Sequence, residues 1–129
     1  MTALRVAYVE DENDIRELTE IALTSFADFT VQTYASGAEA LAALEAFAPD
    51  LILLDVMMPA MDGKTLFGHI TRTEALAEVP VVFMTAKALP AECEELRALG
   101  AVGIISKPYD PVTLADQVTE LWRAATAPS

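Results

Sequence analysis

Reactive side chains follow directly after short apolar runs at several points. Glu10-Asp11-Glu12 follows Arg5–Val9, Asp55 follows Leu51–Leu54, Thr85 follows Pro80–Met84, and Lys107 stands just beyond Gly103–Ile105. Brought together, Glu10, Asp11 and Asp55 would form an oxygen cluster whose mutual repulsion is costly without a cation. Magnesium favours oxygen donors and commonly takes one or two carboxylates, completing its octahedron with water and phosphate. A lysine ammonium supplies a mobile point charge for phosphate oxygens, and a threonine hydroxyl donates a hydrogen bond to the same group. A carboxylate can attack phosphorus and hold an acyl phosphate. Metal and lysine would offset the charge on the transferring phosphoryl group. Each residue alone has a plainer reading. An acidic pair after a strand caps a helix, and a lone Asp at a strand end forms a turn. Thr85 suits a strand, and Lys107 suits a solvated surface. Only their joint occurrence at successive strand ends favours the chemistry.

For these residues to meet, the strands must lie parallel with their carboxyl ends on one edge. The apolar runs Arg5–Val9, Thr30–Tyr34, Leu51–Leu54, Pro80–Met84 and Gly103–Ile105 alternate with segments of helical periodicity. The first helix is predicted from about Asn13 to Phe26, with Ile15, Leu18, Ala22 and Phe26 on one face. Ser36 followed by Glu39 forms a capping-box signature, and Ala40, Leu41, Leu44 and Phe47 continue that helix until Pro49. A third helix begins near Gly63 and carries Leu66, Phe67 and Ile70; a fourth runs from Pro90 to Gly100. Asp110-Pro111 announces a fifth, with Leu114, Val118 and Leu121 inward. Helix-sized connections imply parallel strands. The unbroken apolar runs suit strands buried on both faces. The expected fold is α/β, a doubly wound, flavodoxin-like (βα)5 sheet of order 2-1-3-4-5 with helices on both faces. Its ligand site lies beyond the carboxyl ends of the strands.

The 129 residues fit one domain, expected over residues 1–125 with a tail at 126–129; fraying is expected from Ala124 onward. No apolar run approaches the roughly 20 residues of a membrane span, and no signal pattern opens the chain. A cytoplasmic protein without membrane contact is expected. Eight bases against 20 acids give a net charge of −12. That field disfavours nucleic acid as a partner of this chain alone. One cysteine, Cys93, excludes an intrachain disulfide, and one histidine, His69, excludes a multi-histidine metal site. Cys93 reads as incidental, His69 as a surface residue, and Trp122 equally as packing or as a partner contact. Met57, Met58 and Met61 read as packing for the loop after Asp55.

Several segments occur in a telling order. Val9-Glu10-Asp11-Glu12-Asn13-Asp14-Ile15-Arg16-Glu17-Leu18 comes first, then Asp55-Val56-Met57-Met58-Pro59-Ala60-Met61-Asp62-Gly63. Thr85-Ala86-Lys87 follows, and then Gly100-Ala101-Val102-Gly103 with Lys107-Pro108-Tyr109. Together they resemble the response-regulator receiver family of two-component signalling, of stand-alone chemotaxis type, over essentially the whole chain. The resemblance implies that Asp55 is the phospho-acceptor. It implies a Mg2+ ion, replaceable by Mn2+, on Asp11, Asp55 and the Met57 carbonyl, with Glu10 assisting through water. Lys107 and Thr85 would contact the phosphoryl group, with Ala86 and Met57 beside it. Thr85 would then switch the surface of helix four, strand five and helix five. A histidine kinase or histidine phosphotransfer protein would be the donor, and an unidentified protein the target. The chain would be a monomer or a phosphorylation-dependent dimer, promoting its own phosphorylation and dephosphorylation without turning over an external substrate. Met57 and Lys87 would flank the path of the hydrolytic water, and Lys107-Pro108 would be cis.

The sequence departs from the family at two positions. Ile104 stands where an aromatic residue is common, and Glu10 replaces the first Asp of the acidic pair. Other classes fit less well. A magnesium phosphatase with an aspartyl nucleophile wants a second acid where Met57 stands. A flavin or nucleotide site wants a Gly- or Ser/Thr-rich first loop, where Glu10-Asp11-Glu12 would repel phosphate. A degenerate receiver would not need Asp55, Thr85 and Lys107 together.

Overall fold

The computed structural model describes residues 4–25, 27–86 and 89–127. Its elements alternate strictly apart from one 3-10 turn: β1 (Leu4–Val9), α1 (Asn13–Ser25), β2 (Phe29–Tyr34), α2 (Gly37–Phe47), β3 (Leu51–Asp55), α3 (Gly63–Thr71), the 3-10 turn Glu74–Leu76, β4 (Val81–Thr85), α4 (Pro90–Leu99), β5 (Gly103–Ser106) and α5 (Leu114–Thr126). The strands form one sheet of order β2-β1-β3-β4-β5, and every pairing is parallel. Fold class and strand order are those the sequence predicts.

Successive strand residues face opposite sides of the sheet, and the core divides accordingly. Ala7, Val9, Ile52, Leu54, Val81 and Phe83 pack with residues of α2, α3 and α4. Val6, Tyr8, Leu51, Leu53, Val82 and Met84 pack with α1 and α5. Leu51 to Leu54 are wholly buried, each side chain contributing about 1.5–3 kcal/mol of apolar burial. The helices are anchored unequally. Gly63, Leu66, Phe67 and Ile70 of α3 are buried, whereas Leu96 is the buried residue of α4.

Helix ends follow local chemistry. The Ser36 side chain accepts from the Glu39 N–H at 3.1 Å, capping α2 as predicted, while Glu39 Oε2 accepts from the N–H of Ala35, one residue before the cap, at 2.7 Å. Asp62 caps α3 by accepting from Thr65 N–H at 2.8 Å.

Four local expectations need correction. Helix α1 turns Thr19, Ala22 and Leu23 inward and leaves Leu18 and Ile21 63% and 52% exposed. Facing inward, the Thr19 hydroxyl is bonded to Tyr109. Phe26 lies outside the described residues. Helix α5 starts at Leu114, not at Pro111. Asp110 instead closes a preceding turn, its Oδ1 accepting from Val112 N–H at 2.9 Å. Met58 and Met61 pack against the core, but Met57 is 78% exposed, so it does not pack the loop. Helix α5 also continues through Thr126, past Ala124; residues 128–129 are not among those described. Trp122 packs half-buried against the α1 and α5 side of the core.

Gly63 fixes how closely α3 approaches the end of β3. A Cβ there would lie 2.2 Å from the Asp55 carbonyl oxygen, whereas at Gly68 the nearest atom would be the flexible Arg72 guanidinium at 3.4 Å. Gly63→Ala is therefore expected to cost about 1–3 kcal/mol through forced backbone displacement. Gly68→Ala, mid-helix, should be neutral or stabilising by up to about 1 kcal/mol. Urea denaturation of the two variants checks this; equal effects would contradict it.

Candidate functional site

The parallel strands bring the polar residues to one edge. Asp55 ends β3 and is 6% exposed, Thr85 ends β4 at 3%, and Glu10, just beyond β1, is 1% exposed. Lys107 follows β5, its N–H donating to the Thr85 carbonyl at 2.8 Å. Its ammonium spans the gap between two acids, 2.7 Å from Glu10 Oε1 and 3.2 Å from Asp55 Oδ1. Asp11, half-buried, completes the group: carboxylate oxygens of Glu10, Asp11 and Asp55 all lie within 4.8 Å of one another. Among the described residues, no buried side-chain nitrogen or oxygen lacks a hydrogen-bond partner.

The charges are unequally matched. Among the described residues, three carboxylates stand with one ammonium, which leaves an excess of negative charge in the cluster. Burial and then the Glu10 charge push the Asp55 carboxyl up to about 6, with Lys107 opposing. Burial would raise Glu10 as well, but the hydrogen bond and charge of Lys107 outweigh it and hold Glu10 below the usual range. Burial opposes the Lys107 charge, yet its bond to Glu10 and the charges of both acids raise it. The asymmetry follows the distances, since Lys107 sits nearer Glu10. The donor set fits a hard divalent cation: oxygen ligands, an excess of negative charge, and one member, Asp11, open to solvent.

The surrounding chain explains the motif. After Asp55, Gly63 N–H donates to the Val56 carbonyl at 3.0 Å. Ala60 takes a left-handed φ of 67° within the same loop. The Lys107-Pro108 peptide is cis, as expected. Ala86 follows β4, and Met57 stands with its side chain in solvent above the loop. Lys87 lies outside the described residues. Ile104 sits half-buried and packs against the core. His69 is half-buried near the end of α3, 3.5 Å from Arg72, and does not join the site.

Sequence reasoning missed the buried hydroxyls behind the carboxylates. Tyr8, wholly buried, donates to Glu10 Oε1 at 3.1 Å. Thr19, also wholly buried, hydrogen-bonds Tyr109. The i, i+2 spacing of Tyr8 and Glu10 was the available signal, since it places both on one face. The Thr85 contact with Glu92 of α4, at 3.3 Å, was also missed.

The raised Asp55 carboxyl has a thermodynamic consequence. A group that binds its proton more tightly when folded stabilises the fold at low pH and loses that contribution as pH rises through roughly 4 to 6. In chelator at about pH 7.5, Asp55→Asn should therefore raise Tm by about 3 °C or more, the difference shrinking toward about pH 5. Calorimetry across that range checks it; a difference that grows on acidification would contradict it.

Comparison with known proteins places the chain. The family model described as the response regulator receiver domain matches residues 6–119. The chain is 32% identical over 113 residues to response regulator Rre1 of Synechocystis, covering 88% of this chain and 49% of that protein. It is 38% identical over 110 residues to protein-glutamate methylesterase/protein-glutamine glutaminase 3 of Rhodospirillum rubrum, covering 85% and 30% respectively. The chemotaxis response regulator CheY4 of Vibrio cholerae superposes with a TM-score of 0.86 at 31% identity, covering 93% of this chain and 99% of that one. The chain spans about half the length or less of the first curated relatives it matches. With a receiver model covering most of its length and a receiver fold at every element, this chain belongs to the response-regulator receiver-domain family of two-component signalling.

Proposed function

We propose that the chain is switched by phosphorylation of Asp55. The observation that carries this reading is the Lys107 ammonium held between Glu10 and Asp55 beside the open Asp11 carboxylate. An Asp55 carboxylate oxygen would attack phosphorus, forming an acyl phosphate as the bond to the donor's leaving group breaks. Lys107, already 3.2 Å from Asp55, would shift its ammonium onto a phosphoryl oxygen. Thr85 would donate its hydroxyl to another, beside Ala86. Mg2+, or Mn2+ in its place, would be held by Asp11, Asp55 and the Met57 carbonyl, with Glu10 assisting through water. It would supply charge neutralisation on the transferring group.

A histidine kinase or histidine phosphotransfer protein is the proposed donor. An apolar groove of about 520 Å³ beside the site, lined by Ile15, Leu18, Ile21, Pro108 and Tyr109, supports a protein donor seated there. The output is proposed to be a protein contact on α4, β5 and α5. The light anchoring of α4 through Leu96 supports movement of that surface. Among the described residues no helix is long and apolar enough to cross a membrane, and the charge of −12 argues against nucleic acid as the target of this chain. The cytoplasm is the proposed compartment.

Intact-mass measurement after incubation with acetyl phosphate tests the reading. One phosphate should be added only with magnesium, and none to Asp55→Asn. Absence of an adduct together with failure to bind beryllofluoride in magnesium would overturn it.

A further inference from the structure

Glu92 stands in the first turn of α4 and accepts a hydrogen bond from the Thr85 hydroxyl, Oγ1 to Oε1, at 3.3 Å. Thr85 is 3% exposed, at the end of β4 and next to the strand that ends in Asp55. A hydroxyl has one proton to donate. It can be given to the Glu92 carboxylate or to a phosphoryl oxygen on Asp55, but not to both at full strength. We infer that Glu92 is a positioning residue that holds Thr85 on α4 until the phosphoryl group competes it away. The inference rests on the proposed role of Asp55 as acceptor and goes beyond it by naming what opposes the switch.

The setting of α4 fits such a latch. The helix has one fully buried side chain, Leu96. Its N-cap, Leu89, makes no side-chain capping bond. One turn after Glu92, Glu95 pairs with Lys64 of α3 at 2.7 Å across an exposed surface. A helix held by little apolar burial is sensitive to individual polar contacts. Glu92 is half-buried, which spares its bond to Thr85 much of the screening that weakens the Lys64–Glu95 pair. When Thr85 turns to the phosphoryl group, the Glu92 carboxylate loses that donor, and the start of α4 loses a tie to the sheet. The same competition that opposes activation would thus release the helix once activation occurs. The Thr85–Glu92 contact is a polar link between the end of β4 and the first turn of α4.

Beryllofluoride affinity in magnesium, measured by calorimetry, tests the latch. Glu92→Ala should tighten binding roughly two- to tenfold, the span expected for freeing one hydrogen bond. Glu92→Gln, which keeps an acceptor but no charge, should stay near wild type. In a Thr85→Val background, Glu92→Ala should have no effect. Equal tightening by Glu92→Ala and Glu92→Gln that persists in Thr85→Val would mean simple relief of negative charge and would overturn the inference, as would unchanged affinity in Glu92→Ala. Failure of the wild type to bind beryllofluoride would instead count against Asp55 as acceptor. Melting temperatures establish that each variant is folded.

Discussion

One ammonium between two buried carboxylates organises the working edge of this molecule. Lys107 lies within 3.2 Å of Asp55 and 2.7 Å of Glu10, and neither acid would tolerate its burial as a charge without that partner. Removing the ammonium would strand both acids as buried charges, which is why Glu10 and Asp55 both depend on Lys107. The ammonium is also too little: Asp11 adds a third carboxylate to the group. The cluster is thus satisfied in hydrogen bonds and unsatisfied in charge, a state that favours a divalent cation and, with it, a dianionic phosphoryl group.

The sheet exists around that edge. Parallel pairing from β2 through β5 places every strand's carboxyl end on the same side, and apolar residues on both faces keep the strands in register. Behind the carboxylates, Tyr8 and Thr19 place hydroxyls inside the core, the first donating to Glu10 and the second bonded to Tyr109. The longer Glu10 side chain suits this: it reaches both the Tyr8 phenol and Lys107. In front, Gly63 lets α3 start hard against the Asp55 carbonyl. The acceptor is fixed from behind and below, whereas α4, on the switching side, rests on little more than Leu96 and polar ties.

Much of this was legible in the sequence because it depends on period and position. Alternation of apolar runs with helical segments specifies a parallel sheet, and the residue after each run then falls at the shared edge. Asp55, Thr85, Lys107 and the acidic pair could be read that way. What could not be read depended on side-chain direction in three dimensions. Helix α1 has an apolar stripe through Leu18, yet Thr19 faces inward, where its hydroxyl meets Tyr109. Asp110-Pro111 is a good helix start, yet the turn it closes delays α5 to Leu114. Met57 resembles its neighbours Met58 and Met61 in type, but the loop turns it into solvent. Glu92 is one of several acids along α4, and nothing in spacing alone singles it out as the partner of Thr85.

The central claim is that three carboxylates sharing one ammonium leave a seat for a divalent cation. Magnesium titration by calorimetry, on wild type and Asp11→Asn, tests it most directly. The expected result is one ion per chain, with affinity weakened roughly tenfold or more in the variant, as removing a charge about 4 Å from the ion implies even at a high effective dielectric. Absence of stoichiometric binding, or affinity indifferent to Asp11→Asn, would contradict it.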